Sequence, residues 1–106
     1  MVAKSAVSAT HANWLDSFQA AYASPGNVKA LKCPNCGRRA LQLRFVTYSA
    51  GAIEGHGVVW CDACLTGLAG GPCTIPAGGV AVDHDEADIP RFHIVPPPSR
   101  PIVSSN

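Results

Sequence analysis

Two pairs of cysteines are the residues whose types and spacing can do chemistry. The first pair is Cys33 and Cys36 in the stretch CPNCGRR, and the second is Cys61 and Cys64 in the stretch CDAC. Each pair encloses two residues, and the 24 residues 37–60 separate the pairs. A two-residue gap lets both sulfurs of a tight turn face one ion, so two such turns supply the four ligands of a tetrahedral metal site.

Other chemistries fit the cysteines less well. A thioredoxin-like redox pair requires a strand before Cys33 and a helix after Cys36, whereas the sequence predicts a strand after this pair. Two disulfides, or an iron site of the rubredoxin type, remain alternatives, because thiolate ligands alone do not select zinc over iron. Four cysteine ligands leave no open coordination position, which favours a structural metal over a catalytic one.

The segment from Cys33 to Cys64 resembles a zinc ribbon, a family of rubredoxin-like knuckle domains built on two C-x₂-C turns and a β-hairpin. The resemblance covers about a third of the chain and is most specific in the CPxCG half. It implies one structural Zn²⁺ per chain, with four ligands: Cys33, Cys36, Cys61 and Cys64. The second turn departs from the pattern, since Leu65 stands where a knuckle has glycine.

Two further residues invite interpretation beside the four cysteines. Cys73 is the fifth cysteine, and it can be a spare buried thiol, an alternative metal ligand or a reactive thiol. His56 precedes the second pair and is either a surface histidine or a hydrogen-bond donor to a ligand sulfur. The remaining histidines show no ligand spacing with each other.

An N-terminal helix is predicted over residues 9–23. Its aromatic residues recur at i, i+4 and i+8, which is one face of a helix. A hydroxyl side chain, Ser8 or Thr10, caps its start, and the Pro25-Gly26 dipeptide ends it. This face is rich in apolar surface and is one candidate for binding a partner: Trp14, Leu15, Phe18 and Tyr22.

The rest of the chain predicts strands joined by loops. Residues 41–46, LQLRFV, place large apolar side chains on alternate positions, and residues 56–60, HGVVW, return the chain to the second pair after a turn at residues 50–55. The glycine-rich stretch after Cys61 reads as turns, whereas residues 79–82 and 90–95 read as short strands. We therefore expect a small metal-stapled α+β fold, with an N-terminal helix, an antiparallel β zinc ribbon and an irregular C-terminal region.

Composition and length place further limits on the protein. The chain has 106 residues with nine prolines and ten glycines, so its core is thin and a staple such as a metal is expected. An odd count of five cysteines, with no signal-peptide core or membrane span, predicts a cytoplasmic protein. We expect residues 1–8 to be a flexible leader, 9–26 the helix, 27–95 the ribbon with its extension, and 96–106 a disordered proline-rich tail.

The sequence favours a binding module over an enzyme, because it contains no catalytic set of residues. The first hypothesis is an adaptor that docks on a protein partner or on a second copy. The alternative is nucleic-acid binding through the basic residues around the first pair, with Tyr48 or Trp60 stacking on bases: Lys32, Arg38, Arg39 and Arg44. A formal net charge of +1 weakens that alternative. An iron electron carrier is a third possibility.

Overall fold

The computed structural model describes residues 10–49, 51–85 and 87–96. Helix α1 spans His11–Ala23 and is followed by a short 3-10 helix, Pro25–Ala30. Five strands form one sheet in the order β4-β1-β2-β3-β5, with these bounds: β1 Leu41–Thr47, β2 Glu54–Cys61, β3 Thr66–Thr74, β4 Ala81–Asp83 and β5 His93–Ile94. The predicted leader, residues 1–8, and all but the first residue of the predicted tail lie outside the described residues.

The predicted N-terminal helix is confirmed, and its first residue follows a capping box. The Thr10 hydroxyl accepts a hydrogen bond of 3.1 Å from the Asn13 amide, while the Asn13 side chain accepts one of 2.9 Å from the Thr10 amide. Two backbone donors at the helix start are thereby satisfied. The helix ends at Ala23, because Pro25 cannot continue its hydrogen bonding.

The aromatic face of α1 packs against the sheet. Trp14 is fully buried, and the rings of Phe18 and Tyr22 are half-buried, with Tyr22 lying 6.0 Å from the ring of Phe45 between centroids. The Tyr22 hydroxyl also donates to a backbone carbonyl at the end of β3. The core therefore takes up the Trp14 ring and part of the apolar surface of Phe18 and Tyr22. Leu15, 39% exposed, is the member of the predicted set that faces solvent.

Strands β1, β2 and β3 form the antiparallel centre of the sheet. The β1–β2 hairpin agrees with the sequence expectation, but β3 occupies a stretch predicted as turns. The glycines of this stretch allow a close approach of neighbouring backbones. A Cβ atom at Gly67 would lie 2.1 Å from the carbonyl oxygen of Val59. Position 67 of β3 thus requires glycine, because the backbone of β2 leaves no room for a side chain there. Gly67 does not mark a turn.

The two edge strands are parallel to their neighbours, which corrects the expectation of an antiparallel sheet. Strand β4 pairs in parallel with β1, and β5 pairs in parallel with β3. Both lie close to the segments predicted as short strands. The sheet is therefore mixed, with an antiparallel centre and parallel edges.

Residues 75–85 and 87–95 lie around the central strands and form what we call the belt. For this part of the chain, the sequence predicts an irregular region with two short strands. The first crossing lies over the face that carries α1. There, Ile75 packs against the buried core, and a Cβ atom on Gly79 would meet the ring of Phe45 at 2.9 Å. The chain then pairs with β1 as β4.

The second crossing of the belt runs over the opposite face of the sheet, from β4 to β5. Successive side chains of a strand point to opposite faces, so Arg44 lies on the face opposite Phe45. Arg44 Nε is 3.9 Å from Asp88 Oδ1, and the ring of Phe92 stacks on Trp60 with 5.9 Å between centroids. The belt therefore covers both faces and pairs with both edges of the central sheet.

Candidate metal centre

Strand pairing brings the two cysteine pairs to the same end of the sheet. The first pair precedes β1, and the second pair begins with the last residue of β2. Because the two strands are antiparallel, with Leu41 opposite Cys61, the start of β1 lies beside the end of β2. A final backbone hydrogen bond of 2.9 Å from Asp62 to Ala40 holds the two turns together.

The four sulfurs form a compact cluster whose spacing suits one metal ion. The Sγ atoms of Cys33 and Cys64 are 3.7 Å apart, and those of Cys36 and Cys61 are 3.6 Å apart. All four lie within 4.8 Å of one another. A tetrahedral ion with metal–sulfur bonds of about 2.3 Å holds its sulfurs about 3.8 Å apart. The cluster thus has the dimensions of a four-thiolate metal site.

Backbone amides of each turn point at a cysteine sulfur. In the first turn, the amides of Asn35 and Cys36 lie 3.2 Å and 3.4 Å from the sulfur of Cys33. In the second turn, the amide of Ala63 lies 3.3 Å from the sulfur of Cys61. These donors stabilise negative charge on the sulfurs, which a thiolate ligand requires. The two turns therefore have the hydrogen-bond pattern of matching knuckles.

Leu65 adopts the backbone conformation that glycine has in the first turn. Its φ angle is +50°, and that of Gly37 is +79°. Each residue donates its amide to the carbonyl of the first cysteine of its own turn, at 2.8 Å from Leu65 to Cys61 and 2.9 Å from Gly37 to Cys33. The departure from the knuckle pattern at Leu65 is thus accommodated by a left-handed leucine, a conformation that costs about 1–2 kcal/mol.

Burial and hydrogen bonding act differently on the individual thiols. Burial raises the pKa of Cys33 to about 12 and also raises the pKa of Cys61. Burial acts in the same direction on Cys64, but hydrogen bonds from Asn35 and Thr66 outweigh it, so the pKa of Cys64 falls below its ordinary value. The Asn35 side chain lies 3.6 Å from the Cys64 sulfur and so reaches from one turn to the other. Without a cation, burial thus disfavours the thiolates of Cys33 and Cys61.

The other residues singled out in the sequence lie away from the sulfurs. Cys73 pairs with Gly55 near the far end of β2, and its thiol lies 3.6 Å from the Gly55 carbonyl. The interpretation of Cys73 as an alternative ligand is therefore wrong. His56 is exposed and its ring packs edge-on against Tyr48, with 5.7 Å between centroids. It makes no hydrogen bond to a ligand sulfur within the described residues.

A second group of potential ligands, Asp83, His84 and Asp85, lies on an exposed turn. The two imidazole nitrogens of His84 face the two carboxylates, at 3.5 Å from Asp83 and 3.1 Å from Asp85. The carboxylates therefore already occupy both ring nitrogens. All three residues are exposed.

The basic residues around the first turn have different environments. Lys32, Arg38 and Arg39 are exposed, whereas Arg44 lies over the ring of Trp60 at 5.6 Å and beside Asp88. Trp60 itself is only 2% exposed, and the Arg44 side chain is 22% exposed. Tyr48, at 63% exposure, is the one proposed stacking residue that faces solvent.

Comparisons of the chain with models of protein families, with curated proteins and with solved structures find no match. Among the described residues, no helix has the length and apolar character needed to cross a membrane. The site itself is a knuckle-like cluster of four cysteines that could bind one metal ion, at the shared end of β1 and β2.

Proposed function

We propose that the four cysteines hold one structural Zn²⁺ and that the chain is a zinc-ribbon protein. The observation that carries the proposal is the sulfur cluster, with contacts of 3.6 Å and 3.7 Å between the two turns. Backbone amides directed at Cys33 and Cys61 add support, because they offset thiolate charge. An iron site would use the same ligands, so the metal found in the purified protein decides between zinc and iron.

The zinc serves the fold and takes no part in a reaction. Four cysteines fill the tetrahedral shell, so no position is open for water or substrate. Cys33 and Cys61 are also buried, which leaves little room for a reactant at the ion. Metal binding then stabilises the junction of β1 and β2. A strong chelator is expected to unfold the protein, as measured by circular dichroism.

The surface offered to a protein partner is the groove at the tip of the β1–β2 hairpin. Residues of β1, β2, β3 and the loop between β1 and β2 line this hairpin-tip groove of about 500 Å³, among them Val46, Tyr48, Ile53, His56 and Pro72. Tyr48 and Ile53 are 63% and 76% exposed, so both offer apolar surface to a partner at this groove. The occupant we propose is a protein that inserts apolar side chains, because the groove has few charged groups.

A matched set of variants tests the adaptor role. The tagged wild-type chain, the double variant Tyr48→Ser with Ile53→Ser, and the helix-surface control Leu15→Ser are compared for captured proteins. A protein retained by wild type and by the control but lost from the double variant supports the proposal. A partner that the double variant retains, or the absence of a retained partner, contradicts it. Light scattering on the same samples identifies self-association.

Nucleic-acid binding is a second candidate function, favoured by the exposed basic residues beside the first turn. Lys32, Arg38 and Arg39 are exposed, and none forms an ion pair with an acid in the part of the chain that is described. Fluorescence anisotropy with labelled single-stranded RNA at low salt tests this candidate, with the double variant Arg38→Glu and Arg39→Glu as comparison. Binding that weakens with salt and with the charge reversal supports it, and no binding at low salt excludes it.

A further inference from the structure

The four cysteines of the cluster differ in their access to solvent. Cys33 and Cys61 are 3% and 0% exposed, and Cys64 is half-buried, whereas Cys36 is exposed. Two exposed arginines, Arg38 and Arg39, follow Cys36 closely in the chain. Cysteines that react with oxidants lie in accessible, electropositive surroundings. Cys36 is therefore the ligand through which an oxidant of small size reaches the cluster.

Two sulfur contacts join the two turns to each other. Cys36 lies 3.6 Å from Cys61, and Cys33 lies 3.7 Å from Cys64. All four sulfur atoms lie within 4.8 Å of one another. A sulfur oxidised at Cys36 thus has a reaction partner 3.6 Å away in the opposite turn, the sulfur of Cys61.

We propose that hydroperoxides oxidise the cluster at Cys36 and replace the metal by two disulfides across the turns, Cys36–Cys61 and Cys33–Cys64. This inference rests on the proposed zinc site. The sulfur of Cys36 attacks one oxygen of hydrogen peroxide, the O–O bond breaks, and hydroxide leaves as Cys36 becomes a sulfenic acid. The sulfur of Cys61 then attacks the sulfur of Cys36, the S–O bond breaks, and the oxygen leaves as water.

The same two steps join Cys33 and Cys64. Each disulfide loses two electrons to one hydrogen peroxide. In total, the zinc-bound thiolates and two peroxides take up four protons and yield two disulfides, free Zn²⁺ and four waters. The ion leaves because disulfide sulfurs are no longer thiolate ligands.

The position of the disulfides decides what happens to the fold after the ion leaves. Disulfides across the turns close the segments 36–61 and 33–64, which contain the whole β1–β2 hairpin. Such bridges keep the start of β1 beside the end of β2 and restrict the unfolded chain. Disulfides within each turn would close only a short loop and would leave the two turns free to separate. The oxidised protein is therefore expected to keep its sheet without metal.

Peptide mapping of the full, zinc-loaded chain tests the proposal. After treatment with hydrogen peroxide and blocking of free thiols, trypsin releases residues 33–38 and residues 45–91 as separate peptides unless a disulfide joins them. We expect one linked species, lighter than the sum of the two peptides by four hydrogens, with one zinc released per two peroxides. Its fragment ions are expected to pair Cys36 with Cys61 and Cys33 with Cys64, and the opposite pairing would contradict the proposal. Separate peptides with internal disulfides, or sulfinic acid at Cys36, would overturn the proposal.

Three controls make the result specific. Cys73→Ser removes the fifth thiol from the larger peptide and leaves the proposed ligands intact, so the same linked species is expected. A sulfenic-acid trap added during oxidation is expected to label the peptide of residues 33–38, and labelling of the other peptide would contradict Cys36 as the entry point. Metal analysis before oxidation separates the two proposals. A zinc-loaded chain that forms no linked species refutes the oxidation alone, whereas a chain without zinc refutes the zinc site and the inference that rests on it.

Discussion

Replacing Leu65 by glycine and by alanine tests whether the second turn stores backbone strain. Leu65 has a φ angle of +50°, in a region that side chains with a Cβ atom occupy at a cost of about 1–2 kcal/mol. Alanine keeps this cost, whereas glycine removes it. The glycine variant in turn loses about 0.5–1 kcal/mol of free energy of unfolding, because glycine gives the unfolded chain more conformational freedom. The balance makes the glycine variant more stable than the alanine variant by about 0.5–1 kcal/mol.

The comparison of the two variants cancels the loss of the leucine side chain, which is 43% exposed and contributes some burial. Denaturant unfolding of both variants at the same excess of zinc gives the difference in free energy of unfolding. Ala63→Gly is the matched control, because Ala63 lies in the same turn with a negative φ angle and is exposed. There, glycine is expected to destabilise by about 0.5–1 kcal/mol. An alanine variant at position 65 that equals or exceeds the glycine variant in stability would refute the strained turn.

Three further predictions address the sheet, the metal and the belt. Gly67→Ala is expected to destabilise the protein by about 3 kcal/mol in urea unfolding, because its Cβ would lie 2.1 Å from a backbone carbonyl oxygen. Gly71→Ala is the control, since a Cβ there would meet open space. Equal stabilities of the two variants would contradict the close approach. Zinc binding near pH 7 should release at least two protons, because burial raises the pKa values of Cys33 and Cys61 and keeps both thiols protonated without metal. The zinc affinity is therefore expected to fall at least about 100-fold for each pH unit of acidification. Calorimetry in buffers of different ionisation enthalpy measures this release, and binding without it would refute the assignment of protonated thiols. Phe92→Ala removes the ring that stacks on Trp60 in the second crossing of the belt. The variant should lose about 1–2 kcal/mol of stability in thermal unfolding, together with amide protection in β5. An unchanged melting curve would show that the belt adds no stability.

The pH dependence of the metal-free fold has the opposite sign from that of zinc binding. The pKa of Cys33 rises from 9.0 to about 12 on folding, because burial disfavours the thiolate. Proton binding at Cys33 therefore contributes to the free energy of unfolding in favour of the folded chain below pH 9. That contribution is lost as the pH rises from 9 towards 12. With zinc bound, the same cysteine must be a thiolate, and binding strengthens as the pH rises.

The cysteine cluster and the helix could be predicted because their signals are local in sequence. The spacing of Cys33 with Cys36, repeated later in the chain, defines two ligand turns without knowledge of the fold. The capping residue Thr10 and the terminating Pro25 bracket the helix in the same way. The predicted hairpin between the turns then follows, since only a returning strand brings both turns to one ion.

Strand β3 and the belt could not be predicted, because their causes are contacts between distant segments. Gly67 has low strand propensity, yet the close backbone of β2 makes glycine necessary at that position. The parallel pairing of β4 and β5 depends on where the belt crosses the sheet, and no local pattern encodes that path. The aromatic face of α1 has the same pattern whether it binds a partner or the core, and only the fold assigns it to the core.

Zinc K-edge X-ray absorption on the purified, full-length protein tests the central claim most directly, because it reports both the metal and its neighbours. One zinc held by the knuckle-like cluster predicts a single shell of four sulfurs at about 2.3 Å. A shell containing nitrogen or oxygen, fewer than four sulfurs, or a protein purified without zinc would contradict the proposed structural zinc site.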